Sequence, residues 1–445
     1  MKYKLFLLLC ILFLALSGCA IESDELLSLP QLPAQYVLVQ NQIDLLLSDG
    51  VSLSAPVSGT DRASIQMVDL NGDGVDEAIA FCVSKKNEST VPQVYLYRYS
   101  GGKYVLSGCI EGVGDSIDTV LYPEMGAEHA KTLVIGWRLG ANPVCGLSVY
   151  LYDGETPLML YNGEYTGLAA CDLNNDDAEE LLVLRHVAST SSGAGSAVLL
   201  SYDSGKLSSI AEAPLSSGVS QPQSVVYDRI GEDLYGVVVD ALLSGEDRAG
   251  EAGMLTDILA YDEGHLYNVT YDDFERRSIS TYRPLEYESR DIDGDGIVEV
   301  PCVDYLPGSN VQSATPFLRI DWCDVDDTLT LTKRFTAYQA RKSEWYFVMP
   351  DTLIPSVTMV AGYSDAERMS YVFCEYNSET EQIGRPLWEI FTLTGMEKYT
   401  AFEELGLFEL ARTSTRIYGA KLYLADKNDI LSYAELSQSF FLTAG

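Results

Sequence analysis

One nine-residue acidic pattern occurs three times in this chain, each time directly before an apolar run, and it limits the fold more than any other feature. It reads Asp69-Leu70-Asn71-Gly72-Asp73-Gly74-Val75-Asp76-Glu77 before Ala78-Ile79-Ala80-Phe81. It returns as Asp172-Leu173-Asn174-Asn175-Asp176-Asp177-Ala178-Glu179-Glu180 before Leu181-Leu182-Val183-Leu184. The third copy is Asp291-Ile292-Asp293-Gly294-Asp295-Gly296-Ile297-Val298-Glu299 before Val300-Pro301-Cys302-Val303. The first acids are 103 and 119 residues apart. A second element runs at half that interval. It is an apolar strand ending in an aromatic, a polar turn with Gly or Asp, and another strand, as in Tyr97-Arg98-Tyr99-Ser100-Gly101-Gly102-Lys103-Tyr104. The aromatics Tyr99, Tyr152, Tyr202, Tyr261 and Trp322 mark its copies, 53, 50, 59 and 61 residues apart. Alternating apolar residues around glycine-bearing turns are the chemistry of β-hairpins.

A unit of about 50 residues thus holds four short strands, and the acidic loop marks alternate units. Between them the same place holds degenerate sequence, Tyr122 to Gly126 and Tyr227 to Gly231. Four-stranded units at a regular period predict the blades of a β-propeller, all-β in class. About seven blades are expected, with six as the alternative. The clear repeats span about 60–340, a sixth blade is expected from Trp345 to about Leu393, and strands near Leu410 to Leu424 would close a seventh. An amphipathic helix is predicted over 35–49, because Tyr36, Val39, Ile43, Leu46 and Leu47 share a face and Gly50 stops it. Degenerate blades fill 341–445, where two more helices are expected, at 398–409 and 428–439, the last capped by Asn428 or Asp429.

Alternate oxygens on a tight turn converge on one hard cation, and Ca²⁺ takes six to eight of them in flexible geometry. The candidate ligands are Asp69, Asn71, Asp73, the carbonyl of Val75 and Glu77 in the first loop. In the second they are Asp172, Asn174, Asp176 and Glu180, and in the third Asp291, Asp293, Asp295, the carbonyl of Ile297 and Glu299. The second loop departs from the pattern with Asp177 where the others have Gly74 and Gly296. An EF-hand needs an acid at its twelfth position, and those places hold Ala80, Val183 and Cys302. An acid at the ninth position followed at once by an apolar strand resembles the FG-GAP/VCBS type of propeller repeat, seen in integrin α chains and many exported bacterial proteins. That resemblance covers about 60–340. It implies Ca²⁺ in a structural role, with the ligand bound elsewhere.

The N-terminus supplies an address. Lys2 and Lys4 precede an almost unbroken apolar run from Leu5 to Leu16, and Leu16-Ser17-Gly18-Cys19 follows. A basic start, an apolar core of about a dozen residues and small residues at the exit describe a secretory signal, too short for a membrane span. Leu-Ser-Gly-Cys resembles the lipobox of bacterial lipoproteins. The resemblance implies a signal peptide over 1–18, diacylation of Cys19, and an exported chain held on a membrane by its lipid. Residues 19–34 read as the tether and 35–445 as the working domain.

The net charge of −36 repels phosphate backbones, so no nucleic-acid partner is expected. Beyond Cys10 and Cys19 there are seven cysteines without metal-like spacing; most read as small buried hydrophobes, and no disulfide is predicted. His129, His186 and His265 fall in different units, and no nucleophile elbow, P-loop or dinucleotide fingerprint occurs. The expected function is therefore a membrane-anchored, Ca²⁺-stabilised binding scaffold for a macromolecule, either an envelope protein or a polysaccharide. The alternatives are a carbohydrate-active enzyme working through paired carboxylates and a solute-binding lipoprotein.

Overall fold

The structure is a computed structural model that describes residues 34–48, 50–86, 89–125, 130–188, 194–243, 253–307, 317–340, 344–423 and 431–443. Residues 1–18, Cys19, nearly all of the tether, His129, Asn428 and Asp429 lie outside the described residues. The chain is all-β. Its antiparallel sheets, each of four or five strands, follow one another in sequence as propeller blades do, and six are present among the described residues.

The first sheet holds β1 (Ser52–Leu53), β2 (Ile65–Val68), β3 (Glu77–Lys86), β4 (Ser89–Ser100) and β5 (Lys103–Glu111), with β1 and β2 sharing the free edge of β3. The second is β6 (Ser116–Leu121), β7 (Leu133–Arg138), β8 (Cys145–Tyr152) and β9 (Pro157–Tyr165). The third is β10 (Gly167–Cys171), β11 (Glu180–Arg185), β12 (Gly195–Asp203) and β13 (Lys206–Leu215). The fourth is β14 (Val219–Arg229), β15 (Tyr235–Leu243), β16 (Met254–Asp262) and β17 (His265–Asn268). In the fifth, β18 (Val300–Tyr305), β19 (Phe317–Val325), β20 (Leu331–Ala340) and β21 (Trp345–Met349) are joined at the edge by β27 (Phe440–Leu442). The sixth runs β22 (Val357–Ser364), β23 (Arg368–Asn377), β24 (Gln382–Leu393), β26 (Ile417–Leu422) and β25 (Phe408–Arg412).

Two boundaries differ from expectation. Trp345 does not open the sixth sheet; its strand is the last of the fifth, where Tyr338 pairs with Phe347. The strands near Leu410 to Leu424 do not build a seventh sheet. They add to the sixth through β24, with Trp388 opposite Leu422 and Leu393 opposite Ile417. The two strands pair with each other, Arg412 opposite Ile417, and a helix over Lys398–Leu405 separates β25 from β24, so that β26 is the strand that joins the sixth sheet directly.

Apolar side chains fill the spaces between successive sheets. Ile79, Phe81 and Leu96 of the first sheet meet Ile117, Leu133 and Trp137 of the second, and Leu147 and Val149 meet Leu181 and Val183 of the third. Leu182 and Leu199 face Val237 and Val239, Val238 and Ile258 face Val300, and Phe347 faces Phe373 and Trp388. All four tryptophans are no more than 1% exposed, and each such side chain removes about 150–250 Å² from water. The outer faces of the two end sheets are covered by helices. Helix α1 (Ala34–Ser48) lays Val39 and Ile43 on Ala78, Ala80 and Tyr97 of the first sheet, while Tyr36 and Leu47 of the expected apolar face stay exposed. Helix α2 (Lys398–Leu405) packs Phe402 and Leu405 near Phe391 and Ile417 of the sixth. It stops at Gly406, whose left-handed backbone (φ 63°) ends the helix four residues earlier than the sequence suggests. The last helix, α3 (Tyr433–Ser439), starts at Ser432 in a capping box with Glu435. No helix of the described residues is long and apolar enough to cross a membrane.

Candidate metal centres

The three acidic loops share one backbone design. Each is closed by an antiparallel pair: Val68 with Glu77, Cys171 with Glu180, and the isolated bridge Arg290 with Glu299. In the first loop the Asp69 carboxylate accepts the Gly72 and Gly74 amides at 2.9 and 2.8 Å, and in the third Asp291 accepts those of Gly294 and Gly296 at 2.7 and 3.0 Å. In the second, Asp172 accepts the amides of Asp176 and Asp177 at 3.1 and 3.2 Å. Asn71, Asn174 and Asp293 each accept from the amide two residues on. Asp73, Asp176 and Asp295 in turn accept from Val75, Ala178 and Ile297. One oxygen of each buried glutamate anchors the loop's start: Glu77 takes the Leu70 amide at 2.9 Å, Glu180 that of Leu173 at 3.1 Å, and Glu299 that of Ile292 at 3.0 Å. The loops fold so because alternate short acids satisfy the backbone amides of a turn that makes no ladder of its own.

The remaining oxygens decide what each loop can hold. In the first loop the Asn71 amide donates to Asp73 at 3.2 Å and to Glu77 Oε1 at 3.3 Å. In the second, Asn174 donates to Asp176 at 3.0 Å and to Glu180 Oε1 at 2.7 Å. The third has an acid there instead. Glu299 Oε1 is buried with no hydrogen-bond partner among the described residues. Carboxylate oxygens of Asp291, Asp293 and Glu299 lie within 4.8 Å of one another. Ligands about 2.3–2.6 Å from one ion are at most about 5 Å apart, so that set fits a single Ca²⁺. A buried carboxylate oxygen without a donor costs about 1–3 kcal/mol or more, which a cation would relieve. Asp295 has a second neighbour, the Arg334 guanidinium at 3.7 Å, which also pairs with Asp324 at 3.3 Å. Burial first, then repulsion from the loop acids, pushes the carboxyls of Glu77, Glu180 and Glu299 each up to about 7.

The loops also join sheets. The Lys131 amide of the second sheet's first connection donates to the Leu70 carbonyl at 2.9 Å. Glu124, in the same connection, exchanges bonds with Glu179 of the second loop, and Tyr227 of the fourth sheet donates to the Asp172 carbonyl at 2.7 Å. The Val298 amide of the third loop donates to Arg229 of the fourth sheet at 2.8 Å. An acidic loop therefore binds its own sheet to each neighbour it touches.

A buried polar network in the fourth sheet was not foreseen. Asp240 and Arg283, 2% and 0% exposed, pair at 2.8 Å, and Asp240 also accepts from Thr256, from the Ser289 amide and from its hydroxyl. Asp257, also fully buried, accepts from the Ser216 amide and hydroxyl, Ser278 and Asn268. The signal was present as a lone acid inside each of two apolar runs, Val237-Val238-Val239-Asp240-Ala241 and Thr256-Asp257-Ile258-Leu259. His186 is buried with Nδ1 on the Thr166 hydroxyl at 2.9 Å, and His265 is exposed at the first position of β17.

No family model matches the chain, and no curated protein matches it. Among solved structures, a protein from Lactobacillus plantarum overlaps with 74% of this chain and 84% of its own, at 9% identity and a TM-score of 0.26. A GH43 β-1,3-galactosidase overlaps with 77% of this chain and 74% of its own, at 9% identity and a TM-score of 0.23. Likeness at that level transfers no activity and no ligand to this protein.

Proposed function

We propose that the chain is a lipid-anchored, extracytoplasmic propeller, stabilised by Ca²⁺, that serves as a rigid binding scaffold for a macromolecule of the cell envelope. The observation that carries the metal part is the third loop, where three acids converge around a buried oxygen of Glu299 that has no donor. The residues that would hold the ion are Asp291, Asp293, Asp295, Glu299 and the carbonyl of Ile297. Bound there, Ca²⁺ would supply positive charge to acids that otherwise repel one another, and it would stiffen the seam between the fourth and fifth sheets. The first and second loops would act alike on their own seams, with Asn71 and Asn174 each turning a side-chain oxygen inward to serve as ligand.

The anchor part rests on Leu16-Ser17-Gly18-Cys19 and the apolar run before it. A ligand of sugars or a polar protein surface would suit the cavity of about 440 Å³ where the fourth and fifth sheets meet. Gln223, Tyr287, Glu288, Arg290 and Gln339 line it with both donors and acceptors. The direct test is a thermal melt of the purified chain with excess Ca²⁺ and with chelator. The proposal expects a lower melting temperature under chelation; identical curves would remove the metal from it. Mass spectrometry of the N-terminus from a bacterial membrane fraction tests the anchor, with a diacylated Cys19 expected and an unmodified or unprocessed start opposing it.

A further inference from the structure

We propose that Cys302 and Cys323 form a redox-active dithiol, converted to a disulfide by exchange with a small-molecule disulfide. The pair lies on neighbouring antiparallel strands of the fifth sheet. Val300 is opposite Cys323 and Cys302 opposite Asp321, so the two cysteines are diagonal partners with side chains on one face. Their sulfurs are 3.9 Å apart. Bonding at about 2.05 Å needs an approach of about 2 Å, within reach of side-chain rotation and a small strand adjustment. The ladder of β19 against β20 is irregular here, its register shifting between Trp322 and Cys323.

The remaining described thiols are spread over four other sheets of the chain. Cys145, Cys171 and Cys374 occupy three different sheets. Cys82 and Cys109 share the first sheet but lie on β3 and β5 with β4 between them, a separation of about 10 Å at ordinary strand spacing.

The surroundings assign the two roles. Cys302 is half-buried and the more exposed of the two, whereas Cys323 is buried. The hydrogen bond from the Cys323 thiol, aided by the positive charge of buried Arg283, holds Cys302 below the ordinary thiol range, while Cys323 is pushed well above it. In the reaction, the Cys302 thiolate attacks one sulfur of the incoming disulfide. The S–S bond breaks and one thiolate leaves, giving a mixed disulfide on Cys302. Cys323 then gives its proton to solvent and attacks Cys302 Sγ, expelling the second thiol. Two protein thiols lose two electrons and two protons, and the reagent disulfide becomes two thiols. The new bond would pin β18 to β19 three residues beyond Glu299, near the strand start that follows the third acidic loop. The chemistry is independent of Ca²⁺ and of the anchor; an exported setting would only supply the oxidising surroundings.

The test uses the full chain, purified reduced in detergent and incubated with oxidised glutathione. The products are blocked with N-ethylmaleimide and cut with trypsin. Arg319 lies between the two cysteines, so their peptides stay together only through a disulfide. The expected product of the wild-type chain is that reducible peptide pair. Cys323→Ser should stop at a glutathione adduct on Cys302, and Cys302→Ser should give neither product at position 323. Circular dichroism checks that each variant is folded, and Cys323→Ala replaces the serine variant if it is not. Wild-type protein whose Cys302 and Cys323 are both recovered blocked by maleimide would overturn the proposal. So would a wild-type reaction that halts at the Cys302 adduct, or a link from either residue to a different cysteine.

Discussion

At the fourth and sixth positions of every acidic loop the backbone is left-handed. Gly72, Gly74, Gly294 and Gly296 have φ between 75° and 84°, and in the second loop Asn175 and Asp177 take 58° and 66°. Residues with a Cβ resist that region, asparagine and aspartate least. Asp177→Gly should therefore stabilise the protein by roughly 0.5–1 kcal/mol, read from denaturant midpoints at constant m-value. A loss of stability would mean that the Asp177 side chain makes a contact that matters more than the strain. The third position separates the loops chemically. Asn71→Asp removes two hydrogen-bond donors from neighbouring carboxylates, so cation-free stability should fall by about 1–2 kcal/mol. The same change adds a charged ligand and should raise Ca²⁺ affinity, while Asp293→Asn should do the opposite on both counts. Calorimetry and chelated melts of the two variants check the pair. The sequence made the alternating side-chain oxygens and the sixth-position turn of each loop legible, because those residues alternate along the chain. It did not reveal the fourth-position turn, since Asn175 in a run of acids looks like one more ligand, nor which oxygen is left without a donor.

Buried charge in the fourth sheet sets what its strands tolerate. Arg283→Met leaves Asp240 without its ion pair in a site closed to water, and about 3–5 kcal/mol should be lost. Adding Asp240→Leu should recover much of that loss, because the lone charge is then gone; a double variant no more stable than the single one would contradict this reading. His186 supplies a pH dependence. Burial lowers its imidazole to about 4, while an unfolded histidine takes up its proton near 6.5. Between those values the unfolded state binds the extra proton, so stability falls as pH drops from about 6.5 to 4. His186→Gln should remove that contribution, so the wild-type-minus-variant stability difference should fall as pH drops from about 6.5 to 4, followed by melts at several pH values. At this scale hairpins were the most legible elements, since aromatics and glycine turns recur at nearly fixed intervals. Helix α1 was legible from its apolar face and Gly50. The C-terminal strands were not, because a strand's period says which face is buried and not which sheet it joins: nothing in β21, β25, β26 or β27 marks its sheet, and pairing alone assigns them. The cap of α3 was missed for a local reason. Ser432 with Glu435 completes a capping box, whereas Asn428 and Asp429 offered an equally suitable residue type a few positions earlier.

Across the whole molecule, a charge of −36 on a chain with only 29 basic residues needs an offset wherever acids cluster. The three loops concentrate that need at places where hydrogen bonds tie one sheet to the next. Bound cations there would relieve repulsion and stiffen the scaffold at once, and a stiff scaffold is what a protein presenting a fixed face to a large ligand requires. The account's central claim is that these loops are Ca²⁺ sites that stabilise the fold. Isothermal calorimetry of Ca²⁺ into the chain lacking residues 1–20, beside the same chain with Glu299→Gln, tests it most directly. The account predicts saturable binding of two to three ions to the parent and the loss of one site, the tightest, in the variant. No heat of binding in the parent, or an isotherm that Glu299→Gln leaves unchanged, would contradict it.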